Sequence, residues 1–211
     1  MLKFKKMLST VLAVGMIASM STSAFAAQPS KEVAEPNVEV IALSADIDAS
    51  VLDKVENSVG ACLVYKDGTT VPIDAVVTVE KMPTTAKSAT TTYAVTVRSK
   101  LDTDTDDLNT SHTNASATLR LLWTDGPDIQ NVIDEVSGTL HVEKGKVLSG
   151  TVLYGNRMVS SMLWTKKEVG SAPSFTFRPN MTVMSPAASY SVGFEDEIFG
   201  LSLSVASTIF Q

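Results

Sequence analysis

The sequence predicts an all-β protein, an antiparallel β-sandwich or a partly open barrel, that follows a cleaved export signal. Apolar and polar residues alternate over five separate segments, which is typical of strands with one buried face. Turn-forming pairs such as Asp67-Gly68 separate neighbouring segments. Apolar stripes of helical length are absent between these segments, and this favours antiparallel pairing over βαβ units.

Residues 1–26 have the features of a secretory signal peptide. Three lysines within the first six residues are followed by the mostly apolar stretch Met7–Met20. Ala24-Phe25-Ala26 then offers small residues where signal peptidase needs them. Ser and Thr interrupt the apolar part too often for a retained span of about 20 residues. We therefore expect cleavage after Ala26, secretion from a bacterial cell, and no stable membrane span afterwards.

The composition of the mature chain excludes several classes of protein. Removal of residues 1–26 takes away three Lys and no acid, so 14 basic residues face 23 acidic ones and the net charge becomes −9. This acidic balance argues against a nucleic-acid partner, because phosphate backbones are bound by clustered Lys and Arg. The single Cys62 excludes an internal disulfide. A chain of this length can nevertheless bury roughly 70% of its unfolded surface in one core.

The mature chain begins with a polar lead-in and continues as a single β domain. Residues 27–37 are polar and contain two prolines, so we expect a flexible lead-in before a domain that spans 38–211. Within 45–57 the apolar residues have helical spacing, which predicts one short helix with Ser50 as a possible cap.

Period-two alternation predicts the core-facing residues of five strands. Every second side chain of a half-buried strand points to the core, and the intervening ones face solvent. The predicted core-facing positions are Val71, Ile73, Ala75, Val77 and Val79; Tyr93, Val95 and Val97; Ala117, Leu119, Leu121 and Trp123; Tyr190, Val192 and Phe194; and Leu201, Leu203 and Val205.

The turn residues predict how some strands are joined. Asp67-Gly68 predicts a hairpin with a two-residue loop. Lys144-Gly145 and Gly155-Asn156 separate the runs 131–143, 146–154 and 157–165, which we expect to form a three-stranded meander. The segment Leu-Trp-Thr occurs twice, ending at Thr124 and at Thr165, and indicates two strands that each bury one Trp rather than a repeat.

The residues that bind metal ions in proteins are not arranged here in a known pattern. Four aspartates at positions 102, 104, 106 and 107 form an oxygen-rich segment, but Asp107 and Thr113 stand where a calcium loop needs its Gly and its bidentate Glu. We interpret this segment as a solvated loop. His112 and His141 are expected at the surface, and they form no zinc motif. The prediction is therefore no metal and no cofactor.

The sequence also offers no convincing catalytic group. Cys62 lies within the apolar run 60–64 and is expected to act as a small buried hydrophobe. The serine-hydrolase elbow and the glycine-rich phosphate loops are missing. Glu195-Asp196-Glu197 follows a strand, and we interpret this acidic triplet as a turn. We predict no catalytic residue and no cofactor-binding residue.

These observations favour an exported, non-enzymatic protein that binds an extracellular or cell-surface ligand through polar strand faces and loops. A secreted hydrolase acting on wall or host polymers is the alternative, and it requires a carboxylate from 102–107 and one from 195–197 to converge. A third hypothesis is a pore-forming or antagonistic toxin that inserts the hairpin 90–124, with Arg98 and Arg120 lining the pore.

Overall fold

Two β-sheets packed face to face form the protein, which confirms the prediction of an all-β sandwich. The computed structural model describes residues 36–82, 90–103, 112–126, 130–157, 164–195 and 197–204, and for residues 203 and 204 the backbone only. Thirteen strands and one helix lie within these residues. The two sheets stay separate and do not close into a barrel.

The first sheet contains seven strands, in the order β1-β4-β5-β6-β7-β10, with β11 also paired to β7. Its three longest strands, β5, β6 and β7, are neighbours and form the centre of the molecule. The bounds are β1 Val38–Ala42, β4 Ala75–Lys81, β5 Thr91–Asp102, β6 Asn114–Asp125, β7 Asn131–Lys144, β10 Ser174–Phe177 and β11 Met181–Val183.

The second sheet contains six strands, in the order β3-β2-β13-β12-β8-β9. All of its pairs are antiparallel. The bounds are β2 Val59–Tyr65, β3 Thr70–Pro72, β8 Ser149–Asn156, β9 Trp164–Glu168, β12 Pro186–Gly193 and β13 Glu197–Ser204.

The core lies between the sheets and is built by the alternation that the sequence predicts. Residues 95 and 97 of β5 and residues 117, 119, 121 and 123 of β6 are all buried, and their neighbours along each strand are mostly not. The second sheet contributes large side chains to the same cluster, among them Leu63, Tyr190, Phe199 and Leu201. The aromatic rings contact one another, since Phe175 meets Tyr190 edge to face at 4.9 Å.

One short helix, α1 (Ala49–Glu56), joins β1 to β2 and confirms the prediction for 45–57. The predicted cap is wrong: Asp48 is the N-cap, and its carboxylate accepts a hydrogen bond of 2.8 Å from the Ser50 backbone N–H. The helix places Val55 in the core. Its other apolar residues, Val51 and Leu52, pack partly against the core.

Two connections differ from the sequence prediction. The β2–β3 hairpin has a three-residue loop, because Tyr65 and Thr69 still form a hydrogen bond and Gly68 alone adopts a positive φ of 83°. The meander is wrong, since β7 belongs to the first sheet and β8 to the second. Of the three strands of the predicted meander, only β8 and β9 form a hairpin. Gly155-Asn156 lies inside β8 rather than in a turn.

The edge strand β1 is the exception to antiparallel pairing. It runs parallel to β4, with Val38 beside Ala75 and Val40 beside Val77. Helix α1 and strands β2 and β3 intervene between β1 and β4 in the chain, so the connection passes through the second sheet. A parallel pair needs such a crossover, and here a sheet-to-sheet excursion supplies it.

The two tryptophans have different environments. Trp123 of β6 is buried, stacks on Tyr93 at 5.4 Å and donates its indole N–H to Asp125. Trp164 of β9 is only partly buried, because β9 is an edge strand. The expectation of two equally buried tryptophans therefore holds for β6 alone. Among the described residues, no helix has the length and apolar character that crossing a membrane requires.

Gly138 on β7 faces the core opposite Phe175 of β10. A Cβ at this position would lie 2.5 Å from Phe175 Cζ and would also meet the Thr118 carbonyl oxygen. We expect Gly138→Ala to lower the free energy of unfolding by about 1–3 kcal/mol, because the backbone must shift. Chemical denaturation measures this change. Thr176→Ala, at an exposed position of β10, is the control, and its free energy of unfolding should stay within about 0.5 kcal/mol of the wild type. Equal effects of the two substitutions would contradict this packing.

The buried Tyr190 hydroxyl has no hydrogen-bond partner in the described part of the chain, and burial raises its pKa to about 12. Tyr190→Phe keeps the ring and removes the unpaired oxygen. We therefore expect the free energy of unfolding to stay equal or to rise by up to about 1 kcal/mol. Tyr190→Ala, which removes the ring, should lose about 3–5 kcal/mol. A large loss for Tyr190→Phe in thermal or chemical unfolding would contradict the environment described.

Candidate binding surface

The outer face of the seven-stranded sheet carries two adjacent rows of side chains across β4, β5, β6, β7 and β10. Strand register places these side chains side by side. One row is Thr78, Thr96, Arg120, Ser137 and Thr176, and the next is Val76, Arg98, Thr118, Thr139 and Ser174. We call these ten residues the hydroxyl–arginine surface. Seven of the ten are Thr or Ser, and all ten are partly or fully exposed.

The local sequence explains why these side chains face outward. Most of them lie between core-facing residues of their strand, as Thr96 does between Val95 and Val97. Threonine suits such positions, because its branched Cβ favours extended backbone and its hydroxyl bonds to a cross-strand neighbour. Thr118 and Thr139 form such a pair, with their hydroxyl oxygens 2.7 Å apart. The rows are therefore a product of strand alternation and register together.

Glu135 neutralises part of the positive charge at one end of this face. Its side chain is only 15% exposed, and it lies 3.3 Å from Arg120 and 3.1 Å from Arg178. The Ser137 hydroxyl donates a third bond to Glu135 at 3.1 Å. Two guanidinium groups and one carboxylate thus form a network that holds Arg120 and Arg178 in place.

Arg98 differs from these two arginines. It is exposed and second in its row, between Val76 of β4 and Thr118 of β6. With the residues that the structure describes, Arg98 forms no ion pair and no hydrogen bond. Three of the four arginines of the chain, at positions 98, 120 and 178, therefore lie on or beside one sheet face, and of these three only Arg98 has no ion pair within the described residues.

The two acidic segments that the hydrolase hypothesis requires do approach each other at one end of the sandwich. The Thr103 hydroxyl at the end of β5 lies 3.4 Å from Glu197 Oε1 at the start of β13. The prediction of a turn over 195–197 is wrong for Glu197, which is a strand residue, 6% exposed and facing inward. Burial raises the pKa of the neighbouring Tyr65, and the Glu197 charge adds to this rise.

His112 lies at the same end and is less exposed than the sequence suggests. Its Nδ1 forms a hydrogen bond with the Thr103 carbonyl oxygen, and its Nε2 lies 3.5 Å from Asp102. Asp102 also lies 3.7 Å from Lys100. His141, 73% exposed, lies at the surface as expected, whereas the side chain of His112 is only 25% exposed. The other aspartates of the acidic segment, at 104, 106 and 107, lie outside the described residues.

Cys62 lies on the outer face of the six-stranded sheet and is partly buried. Its burial raises the pKa of the thiol to about 11, so the thiol is protonated at neutral pH. The prediction of a small buried side chain is correct in chemical character and overstates the burial. An activated nucleophile requires the opposite shift of pKa.

Among the His, Cys, Asp and Glu side chains of the described ranges, no three lie close enough together to hold a metal ion. Comparison of the chain with protein-family models, with curated proteins and with solved structures finds no match. The residues of the hydroxyl–arginine surface are therefore the only basis for a proposal about function.

The sequence alone revealed the polar faces of β5 and β6 but not the extent of the surface. Ser174 and Thr176 lie in the short strand β10, which has too few residues for a clear alternation. Their place opposite Thr139 and Ser137 depends on the pairing of β10 with β7. Glu197 was missed because an acidic triplet before a strand normally indicates a turn.

The raised pKa of Cys62 predicts slow alkylation of the folded protein. Because the thiolate is the reactive form, a rise from 9.0 to about 11 reduces the rate at pH 8 by about 100-fold relative to the unfolded chain. The rate should still increase between pH 9 and pH 11. A thiol reagent monitored by absorbance measures both; a plateau near pH 9 would contradict the burial of this thiol.

The same shift predicts a loss of stability in alkali. A pKa that is higher in the folded state contributes stability below the unfolded value, and this contribution disappears as the pH rises through about 11. In the matched control Cys62→Ala, the difference in free energy of unfolding from the wild type should therefore change between pH 9 and pH 11 in the direction of a less stable wild type.

Proposed function

We propose that this protein is exported and binds an extracellular polymer or cell-surface component through the hydroxyl–arginine surface, without catalysing a reaction. One observation carries the proposal: seven hydroxyl side chains and two arginines lie in two adjacent rows over five strands. At about 4.8 Å between strands, the rows extend over roughly 19 Å. A flat, polar face of this length suits an extended ligand better than a small molecule, which needs a concave pocket.

The surface has the features of a contact site rather than of a catalytic one. Its hydroxyl groups are donors and acceptors, so they can exchange hydrogen bonds with water for hydrogen bonds with a ligand. The ten residues include no carboxylate and no histidine to transfer a proton. In addition, Gly138 and the core side chains beneath the rows hold β6, β7 and β10 in register, so the array is preorganised.

The hydrolase alternative rests on the contact between Thr103 and Glu197. This contact brings the two acidic segments together, as a glycosidase would require. However, Glu197 faces the inside of the sandwich and is 6% exposed, whereas Asp102 is partly exposed and close to Lys100 and His112. A catalytic pair must face one cleft that admits the polymer, so the binding function is favoured.

The toxin alternative requires β5 and β6 to leave the sheet. Both strands lie at its centre, with β4 on one side and β7 on the other. Their apolar residues pack against the second sheet. Leaving the sheet would expose this core, which favours a binding function for the outer face of these strands.

Co-sedimentation with cell-wall and surface fractions tests the proposed function. Protein expressed from its full sequence should sediment with such a fraction, and Thr139→Met should reduce the bound amount at least about tenfold, because it removes a central hydroxyl and adds bulk. The matched control is Thr151→Met on the outer face of the other sheet, where Thr151 also makes a hydroxyl bond. Thr151→Met should bind like the wild type.

Two results would contradict this function. Equal loss of binding in Thr139→Met and Thr151→Met would remove the assignment to the hydroxyl–arginine surface, provided that both variants melt at the wild-type temperature. Release of soluble fragments from the wall fraction by the wild type, abolished in Glu197→Gln, would instead establish the hydrolase.

A further inference from the structure

We infer that the ligand of the hydroxyl–arginine surface is an acidic polysaccharide that lies across the strands, with one of its carboxylates held by Arg98. This inference rests on the proposed function and adds the chemical class of the ligand and the residue that selects it. Three features carry it: the accessible charge of Arg98, the spacing of the rows, and the absence of aromatic side chains from the ten residues.

The first feature is the positive charge of Arg98, because the net negative charge of the rest of the protein repels polyanions. The predicted mature chain has a net charge of −9, yet the ten residues contain two arginines and no carboxylate. Glu135 compensates Arg120 at 3.3 Å, whereas Arg98 has no such partner among the described residues. The planar guanidinium group offers paired N–H donors that match a carboxylate, so Arg98 can form a charge-assisted bidentate contact.

The surroundings of Arg98 favour a ligand that carries hydroxyl groups as well as charge. Val76, 41% exposed, lies directly opposite Arg98 on β4 and offers an apolar neighbour for the aliphatic part of the arginine. On the other side the paired hydroxyls of Thr118 and Thr139 continue the row. A sugar unit whose carboxylate meets Arg98 would therefore place its hydroxyl groups near Thr118 and Thr139.

The direction of the polymer follows from the spacing of the rows. Neighbouring strands lie about 4.8 Å apart, which is close to the length of one extended sugar unit. Successive units of a chain lying across the strands would each meet one residue of a row. Arg120 is the diagonal neighbour of Arg98, about 7–8 Å away. It lies in the adjacent row, where its compensated guanidinium can still donate to a sugar hydroxyl.

A neutral polysaccharide is a poorer match. Binding of uncharged sugars gains most of its contact area from aromatic rings, and none of the ten residues is aromatic. Hydroxyl contacts alone largely replace equivalent contacts with water and contribute little net free energy. A carboxylate on Arg98 adds a stronger, charge-assisted hydrogen bond, so the acidic polymer is preferred.

Affinity electrophoresis of protein expressed from its full sequence tests this inference. Gels contain polygalacturonate, the same polymer after chemical reduction of its carboxyl groups, or no polymer. We expect polygalacturonate to retard the wild type at low salt and the reduced polymer to retard it at least about tenfold less. Retardation should weaken as salt increases, because exposed charges are screened.

The variants assign the effect to Arg98. Arg98→Gln should weaken the apparent affinity for polygalacturonate at least about tenfold, and Arg98→Lys should restore only part of it, because an ammonium group lacks the planar fork. Lys167→Gln removes one exposed positive charge from β9 of the other sheet and is the matched control; it should behave like the wild type. Unchanged melting temperatures show that the variants fold.

Three outcomes would overturn the inference. The first is that the reduced polymer retards the protein as much as polygalacturonate does. The second is that Arg98→Gln and Lys167→Gln have equal effects. The third is that a polyol-phosphate polymer retards the protein and polygalacturonate does not. Co-sedimentation with the wall fraction separates the two levels of the hypothesis. If Thr139→Met loses binding to the wall fraction while polygalacturonate does not retard the wild type, the surface function stands and the ligand class is wrong. If the wild type binds neither the wall fraction nor polygalacturonate, the proposed function and the ligand class are both wrong.

Discussion

The alternation of side chains along β5, β6 and β7 is the constraint on which the other features of this protein depend. The three strands are long and lie side by side, so each residue that fills the core fixes the outward direction of its two neighbours. A slip of one residue would move Leu119 and Leu121 to solvent and bury Arg120. Burying a guanidinium group without its partner is costly, so the register is strongly specified.

The β6–β7 ladder has two irregularities, between Asn114 and Ala115 and between Leu122 and Trp123, and the second affects the charged network. A register shift between Leu122 and Trp123 sets these residues opposite Glu135 and Ile133. Beyond the shift, Trp123 and Ile133 still face the core, and Glu135 still lies on the outer face. The extra residue of β7 at this shift therefore keeps the core-facing and outward-facing side chains of the two strands aligned on both sides of it, and Glu135 remains next to Arg120. Such irregularities adjust a strand without disrupting the sheet.

The sequence was sufficient for the fold class and for most of the core, because both follow from local periodicity. Residues 95, 97, 117, 119, 121 and 123 were predicted as core-facing and are buried. It was insufficient for strand order, because pairing partners are distant in the chain. Local sequence does not show that β1 pairs in parallel with β4 or that β7 and β8 belong to different sheets. A turn residue such as Gly145 ends a strand without specifying which sheet the next strand joins.

The same limit applies to the binding surface. Alternation predicts that Arg98 and Arg120 are both polar-face residues of a hairpin, and by that criterion they are equivalent. Their difference depends on β7, which places Glu135 within 3.3 Å of Arg120 and not of Arg98. Arg178, which follows β10, reaches the same carboxylate at 3.1 Å. Pairing across three strands thus makes Arg120 and Arg178 parts of a structural network, in which one carboxylate compensates one of their two positive charges.

Arg98 remains accessible for the converse reason. Its cross-strand neighbours are Val76 and Thr118, which carry no charge, and its own strand continues with Thr96 and Lys100. An exposed guanidinium in such a row contributes little to the stability of the fold, since even a complete surface ion pair is worth only about 0–1 kcal/mol. An arginine without an ion pair, placed beside a row of hydroxyl side chains, thus fits the proposed ligand contact better than a role in stability.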